Sequence, residues 1–135
     1  MLCLLVEDDE SSLLWCTESL EMLGLKVIVA RNGFEALEEW DNHKPPLIVL
    51  DWMMPKMDGI EFLKRLKIKT LKEGDKFPKV IMSSCLGEEC HFQEAKEAGA
   101  FTYLCKPYTH RDLEAKIGLL MNLDMGKEGK SDKEE

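Results

Sequence analysis

Five short apolar runs, LCLLV (2–6), VIVA (27–30), LIVL (47–50), VIMSS (80–84) and FTYLC (101–105), punctuate the chain, and each is followed by a stretch of helical length. Most of the runs are continuous rather than alternating, the pattern of strands buried on both faces. The stretches between them are amphipathic. Ser11 or Ser12 is placed to cap a helix that carries Leu13, Cys16, Leu20 and Leu23 and closes at Gly24. Further helices are expected over 33–40 with Phe34, Leu37 and Trp40, and over 59–71 with Ile60, Leu63 and Leu66 behind an Asp58 cap. Two more are expected over 88–98, closed by Gly99, and over 109–123 with Leu113, Ile117 and Leu120. Alternation repeated five times predicts an α/β fold, a five-stranded doubly wound parallel sheet with helices on both faces. Residues 1–123 form one domain large enough to bury a core. Residues 124–135, almost all Gly, Ser and charged, read as a flexible charged tail or the start of a linker.

In an open parallel sheet, ligands sit outside the carboxyl ends of the strands. Here those ends are polar. The first run is followed by Glu7, Asp8 and Asp9, the third by Asp51, the fourth ends in Ser83 and Ser84, and the fifth leads into Lys106 and Pro107. If the first, third, fourth and fifth strands are neighbours, these groups converge on one pocket. Crowded carboxylates shift one another's pKa or require a cation. A few hard oxygen ligands with positions left open suit Mg²⁺. The Lys106 ammonium and the Ser84 hydroxyl would then serve a substrate bearing negative oxygens, such as a phosphoryl group. Taken singly, an EDDE run is most often a solvated helix start and an Asp before a turn is most often a cap. Joint placement at strand ends is what carries the inference.

These residues resemble the receiver domain of two-component response regulators, and the likeness covers residues 1 to about 122. LLVEDDE matches the family's acidic pair at Glu7 and Asp8, with the role of Asp9 left open. LIVLDWMMPKMDG matches the phosphoacceptor at Asp51, VIMSSC the switch hydroxyl at Ser84, and FTYLCKP the switch aromatic at Tyr103 and the lysine at Lys106. Two departures are mild: Cys85 stands where Ala is usual, and TLKEGDKF lengthens the connection after the third helix. The resemblance implies a flavodoxin-like sheet of strand order 2-1-3-4-5. It also implies that Asp51 accepts a phosphoryl group from a sensor histidine kinase, a phosphotransfer protein or a small phosphodonor. Mg²⁺ would be held by Glu7, Asp8, Asp51 and the backbone carbonyl of Met53, while Lys106 and Ser84 meet phosphoryl oxygens. Tyr103 would follow Ser84, shifting the surface of the fourth helix, fifth strand and fifth helix toward an effector, a fused output domain or a second copy. Such a domain phosphorylates and dephosphorylates itself and is not a turnover enzyme. The apolar Met53 and Leu86 beside the site resemble receivers that dephosphorylate slowly.

Charge and composition narrow the alternatives. A formal net charge of -8 argues against direct nucleic-acid binding. No apolar stretch approaches the ~18 residues of a spanning helix, and MLCLLV gives way to EDDE too early for a signal peptide, so a cytoplasmic location without membrane attachment is expected. Five cysteines, at 3, 16, 85, 90 and 105, are odd in number and lack a CxxC pair, which favours reduced thiols. Cys3, Cys85 and Cys105 are expected to be small buried hydrophobes. Residues 1–60 carry 4 cations and 12 anions, whereas 61–80 carry 7 cations and 3 anions, a basic segment that reads first as a solvated face. A phosphatase of the haloacid dehalogenase type wants a second Asp two positions after the first, where this chain has Met53. The remaining rival is a receiver-like module that signals by binding without phosphorylation. The complete set Glu7, Asp8, Asp51, Ser84 and Lys106 weighs against it.

Overall fold

The computed structural model describes the backbone of residues 1–84 and 89–133, and side chains within 1–84 and 92–121. Five strands alternate with five helices: β1 (Leu2–Val6), α1 (Glu10–Met22), β2 (Lys26–Ala30), α2 (Gly33–His43), β3 (Leu47–Asp51), α3 (Gly59–Glu73), β4 (Lys79–Ser84), α4 (Glu89–Ala98), β5 (Thr102–Cys105) and α5 (His110–Lys133). The strands form one sheet in the order β2-β1-β3-β4-β5, and every pairing is parallel. This is the expected doubly wound, flavodoxin-like arrangement.

Strand residues pointing to opposite faces explain why continuous apolar runs were needed. Leu4, Val6, Ile48, Leu50, Val80 and Met82 enter one core with Trp40, Phe62, Leu66 and Ala95 of α2, α3 and α4. Cys3, Leu5, Leu47, Val49 and Ile81 enter the other with Leu13, Leu20, Leu113 and Ile117 of α1 and α5. Each fully buried Leu, Ile or Phe stabilises the fold by roughly 1.5–3 kcal/mol relative to exposure. Both layers therefore depend on the same three central strands.

Local chemistry sets the element ends, and three differ from expectation. Asp9, not Ser11 or Ser12, caps α1, its carboxylate accepting from the Ser12 N–H at 2.9 Å. A carboxylate one residue upstream of the first turn is well placed for the orphan N–H groups and for the helix dipole. Helix α2 runs past Trp40 to His43, where Lys44 turns left-handed (φ 48°) ahead of two prolines. Helix α3 continues to Glu73 and closes at left-handed Gly74. Asp58 does cap α3, accepting from the Glu61 N–H at 2.9 Å.

Helix α5 continues through residues 124–133, the segment read from sequence as a tail or linker. Cys3 and Cys16 are buried, as small hydrophobes should be, and burial pushes the Cys3 thiol up to about 12. Cys105 is exposed, contrary to expectation. It ends an edge strand, so no further strand covers it. Cys85, Leu86 and the expected start of α4 at residue 88 lie outside the described residues, as does the Cys90 side chain. Among the described residues, no helix is long and apolar enough to cross a membrane.

Candidate functional site

The strand order brings the carboxyl ends of β1, β3, β4 and β5 side by side, and the polar residues named above meet there. Carboxylate oxygens of Glu7, Asp8 and Asp51 all lie within 4.8 Å of one another. Glu7 and Asp51 are buried while Asp8 is exposed, so the cluster has a dry floor and an open side. Lys106 reaches in from the end of β5, its ammonium 3.0 Å from Glu7 Oε1 and 3.4 Å from Asp51 Oδ1. Backbone hydrogen bonds fix these placements. The Glu7 N–H donates to the Ala30 carbonyl at 3.0 Å, the Trp52 N–H to Ser83 at 2.8 Å, and the Lys106 N–H to Ser84 at 2.8 Å. The Lys106–Pro107 peptide is cis.

Glycine at 59 lets the loop after Asp51 close tightly. A Cβ there would stand 3.0 Å from the Asp51 carbonyl oxygen, from Trp52 Cα and from Met82 Sδ. The Gly59 N–H donates to the Trp52 carbonyl at 2.8 Å, pinning the first turn of α3 beneath the strand end. Met53 lies in the intervening loop, largely exposed.

Electrostatics follow from this crowding. Burial, and then the Glu7 carboxylate, push the Asp51 carboxyl up from 3.8 to about 7. Burial opposes the charge on Lys106, but its hydrogen bond to the Glu7 carboxylate and the charge of Asp51 outweigh it and hold the ammonium above its ordinary pKa. Three carboxylates thus crowd one lysine. A hard cation bound by these oxygens would relieve the repulsion.

Ser84 is fully buried at the end of β4, one residue beyond Ser83, which stands opposite Asp51 in the sheet. Tyr103 stands opposite Met82 and faces the α4 side. Its ring is edge-on to Trp52, with centroids 6.4 Å apart, and tilted against Phe92 at 5.6 Å. The Tyr103 hydroxyl is buried without a hydrogen-bond partner among the described residues.

The family model for the response regulator receiver domain matches residues 3–118. The chain belongs to that family. It is 38% identical over 118 residues to the alkaline phosphatase synthesis transcriptional regulatory protein PhoP of Bacillus subtilis, a match covering 87% of this chain and 47% of that protein. It is 36% identical over 105 residues to sporulation initiation phosphotransferase F of Bacillus subtilis, covering 78% and 81% respectively. Among solved structures, the Francisella response regulator 1452 receiver domain superimposes with a TM-score of 0.79 at 30% identity, over 88% of this chain and 94% of that one. The Vibrio cholerae chemotaxis protein CheY4 does so with a TM-score of 0.78 at 28% identity, over 87% and 95%. The chain spans about half the length of the transcriptional regulators it matches. As a receiver, it is a signalling domain of two-component systems.

Sequence reading missed two features of this receiver. The Cys16 thiol and the Tyr108 hydroxyl are 3.0 Å apart, tying α1 to the loop after β5. Beside them lies a cavity of about 470 Å³, walled by Trp15, Tyr108 and Pro107. Nothing local in the sequence announces a contact between residues 92 positions apart.

Proposed function

We propose that this receiver takes a phosphoryl group on Asp51, with Lys106 and Ser84 as its further catalytic groups and Ser84 and Tyr103 as its switch. The observation that carries the reading is the gathering of Glu7, Asp8 and Asp51 around the Lys106 ammonium. An Asp51 carboxylate oxygen attacks the phosphorus of a phosphohistidine on a sensor kinase or phosphotransfer protein. A P–O bond forms as the P–N bond breaks, and the imidazole leaves. Glu7, Asp8, Asp51 and the Met53 carbonyl are the groups suited to hold Mg²⁺, which when bound supplies positive charge to the phosphoryl oxygens. Lys106 supplies a further positive charge at those oxygens. Its neighbours already hold that lysine in place.

Once Asp51 is phosphorylated, Ser84 contacts a phosphoryl oxygen and Tyr103 settles into the space this vacates. The reading extends the shift to the α4, β5 and α5 surface, where a downstream protein, a fused output domain or a second copy would dock. Phosphorylation-independent signalling is the rival. Incubation with acetyl phosphate and Mg²⁺ should add one base-labile phosphoryl group to the wild type and none to Asp51→Asn. Equal labelling of both, read by intact-protein mass spectrometry, would overturn the assignment of the nucleophile.

A further inference from the structure

The basic segment over 61–80 finds no use in the phosphoryl chemistry, and only some of its charges are matched within the molecule. Arg65 is paired with Glu61 and lies over the Phe34 ring at 5.7 Å, while Lys69 is paired with Asp41 and Glu73. Lys64, Lys67 and Lys72 are exposed and have no ion pair among the described residues. Between them on the outer side of α3 stand Ile68 and Leu71, 59% and 77% exposed. Steps of three and four residues put all five on one face. The unmatched charges there are of one sign, whereas a helix face that is merely solvated interleaves both.

Helix α1 carries the converse. It contains no Lys or Arg, and its outer side shows Leu14 and Met22, 65% and 70% exposed, beside Glu18 and Glu21. Those two glutamates are exposed and have no ion pair among the described residues, unlike Glu10, which is paired with Arg31. Positions 14, 18, 21 and 22 repeat the spacing of 64, 68, 71 and 72, with apolar and charged residues exchanged. Each stripe spans about 12 Å of helix. With the two helices offset by one turn, Leu14 seats on Ile68 and Glu18 falls beside a lysine whichever way they run, Lys64 if antiparallel and Lys72 if parallel. Helices α1 and α3 cover opposite faces of the sheet, so the two stripes cannot meet within one molecule.

We propose that the outer face of α1 docks on the outer face of α3 of a second copy of this chain. Opposite charges flank an apolar centre on both sides. A simple polyanion fits α3 less well, because the net charge of -8 repels it and it offers nothing to Ile68 and Leu71. The contact is heterologous, so a pair of copies keeps one α1 face and one α3 face free and can add further copies. Helix α4, β5 and α5 take no part in it.

Sedimentation equilibrium on the full unphosphorylated chain reads this association directly. At low ionic strength the average mass should climb past that of a dimer as concentration rises, with a Kd on the order of 0.1 mM for an interface this small. About 1 M salt, which cuts the reach of a charge to about 3 Å, should weaken association at least three-fold. Leu14→Asp and Ile68→Asp each replace an exposed side chain, so both should melt as the wild type does, and each alone should be monomeric. Mixed in equal amounts they should form a one-to-one dimer and stop there, because the intact α1 of one meets the intact α3 of the other. A wild type still monomeric at about 1 mM, self-association of either variant, or a mixture that stays monomeric would overturn the proposal.

Discussion

Lys106 Nζ lies 3.0 Å from Glu7 Oε1, closer than its 3.4 Å to Asp51 Oδ1, so this lysine is held chiefly by the acidic residue that follows β1. Glu7 is 2% exposed, and removing the lysine leaves a buried anion with no cation paired to it among the described residues. Lys106→Met should therefore destabilise the metal-free protein by about 3 kcal/mol near neutral pH, measured by urea unfolding. A loss of under about 0.5 kcal/mol would mean that the pair contributes nothing to the fold.

Asp51 makes the opposite contribution. Its carboxyl is raised from 3.8 to about 7 by burial and by Glu7, so the folded state binds this proton more tightly than the unfolded state. The resulting stabilisation is complete below about pH 4 and is lost as pH rises through about 7. Asp51→Asn removes that titration. The melting temperature of the variant minus that of the wild type, both without metal, should grow as pH rises across that window. A difference that stays flat would contradict the raised carboxyl.

Asp8 is the exposed member of the acidic trio, so its loss should cost metal affinity without opening the core. Asp8→Ala should weaken Mg²⁺ binding by at least ten-fold, followed through the fluorescence of Trp52 next to Asp51. Removing one of three crowded carboxylates should also leave the metal-free fold no less stable. An unchanged Mg²⁺ titration would remove Asp8 from the ligand set.

Gly59 tests how the site is braced. Adding a methyl group puts carbon 3.0 Å from the Asp51 carbonyl oxygen and Trp52 Cα, neither of which can swing aside as a side chain does. Gly59→Ala should cost about 1–3 kcal/mol by chemical denaturation. It should also slow phosphorylation by acetyl phosphate, because the loop after Asp51 must shift. Wild-type stability in this variant would show that the loop has slack.

Ser84→Ala separates chemistry from switching. Asp51, its acidic neighbours and Lys106 all remain, so phosphorylation should persist. The phosphoryl group then loses the contact that distinguishes two states, and a ligand without differential interaction shifts no equilibrium. NMR shifts over 92–120 on phosphorylation should be large in the wild type and confined to the pocket in the variant. Full-amplitude shifts in both would send the signal out by another route.

The sequence alone determined the layers and the candidate residues, because both are written in local patterns. Runs such as LIVL and VIMSS are apolar at consecutive positions, and only a strand covered on both faces uses every one of them. Polar residues that follow such runs must then lie at the strand ends. Strand order came from resemblance rather than periodicity, since five βα units can in principle wind in several orders. Tertiary structure decided what depends on distance through space. It chose Asp9 over the neighbouring serines as the cap of α1, and it left Cys105 uncovered on an edge strand that reads like the central ones. It also set Lys106 nearer to Glu7 than to Asp51, paired Cys16 with Tyr108, and buried the Trp40 N–H without an acceptor among the described residues. The cap is a local contact that the neighbouring serines could equally have supplied, whereas the others arise where segments far apart in the chain pack together and side-chain direction is fixed by packing.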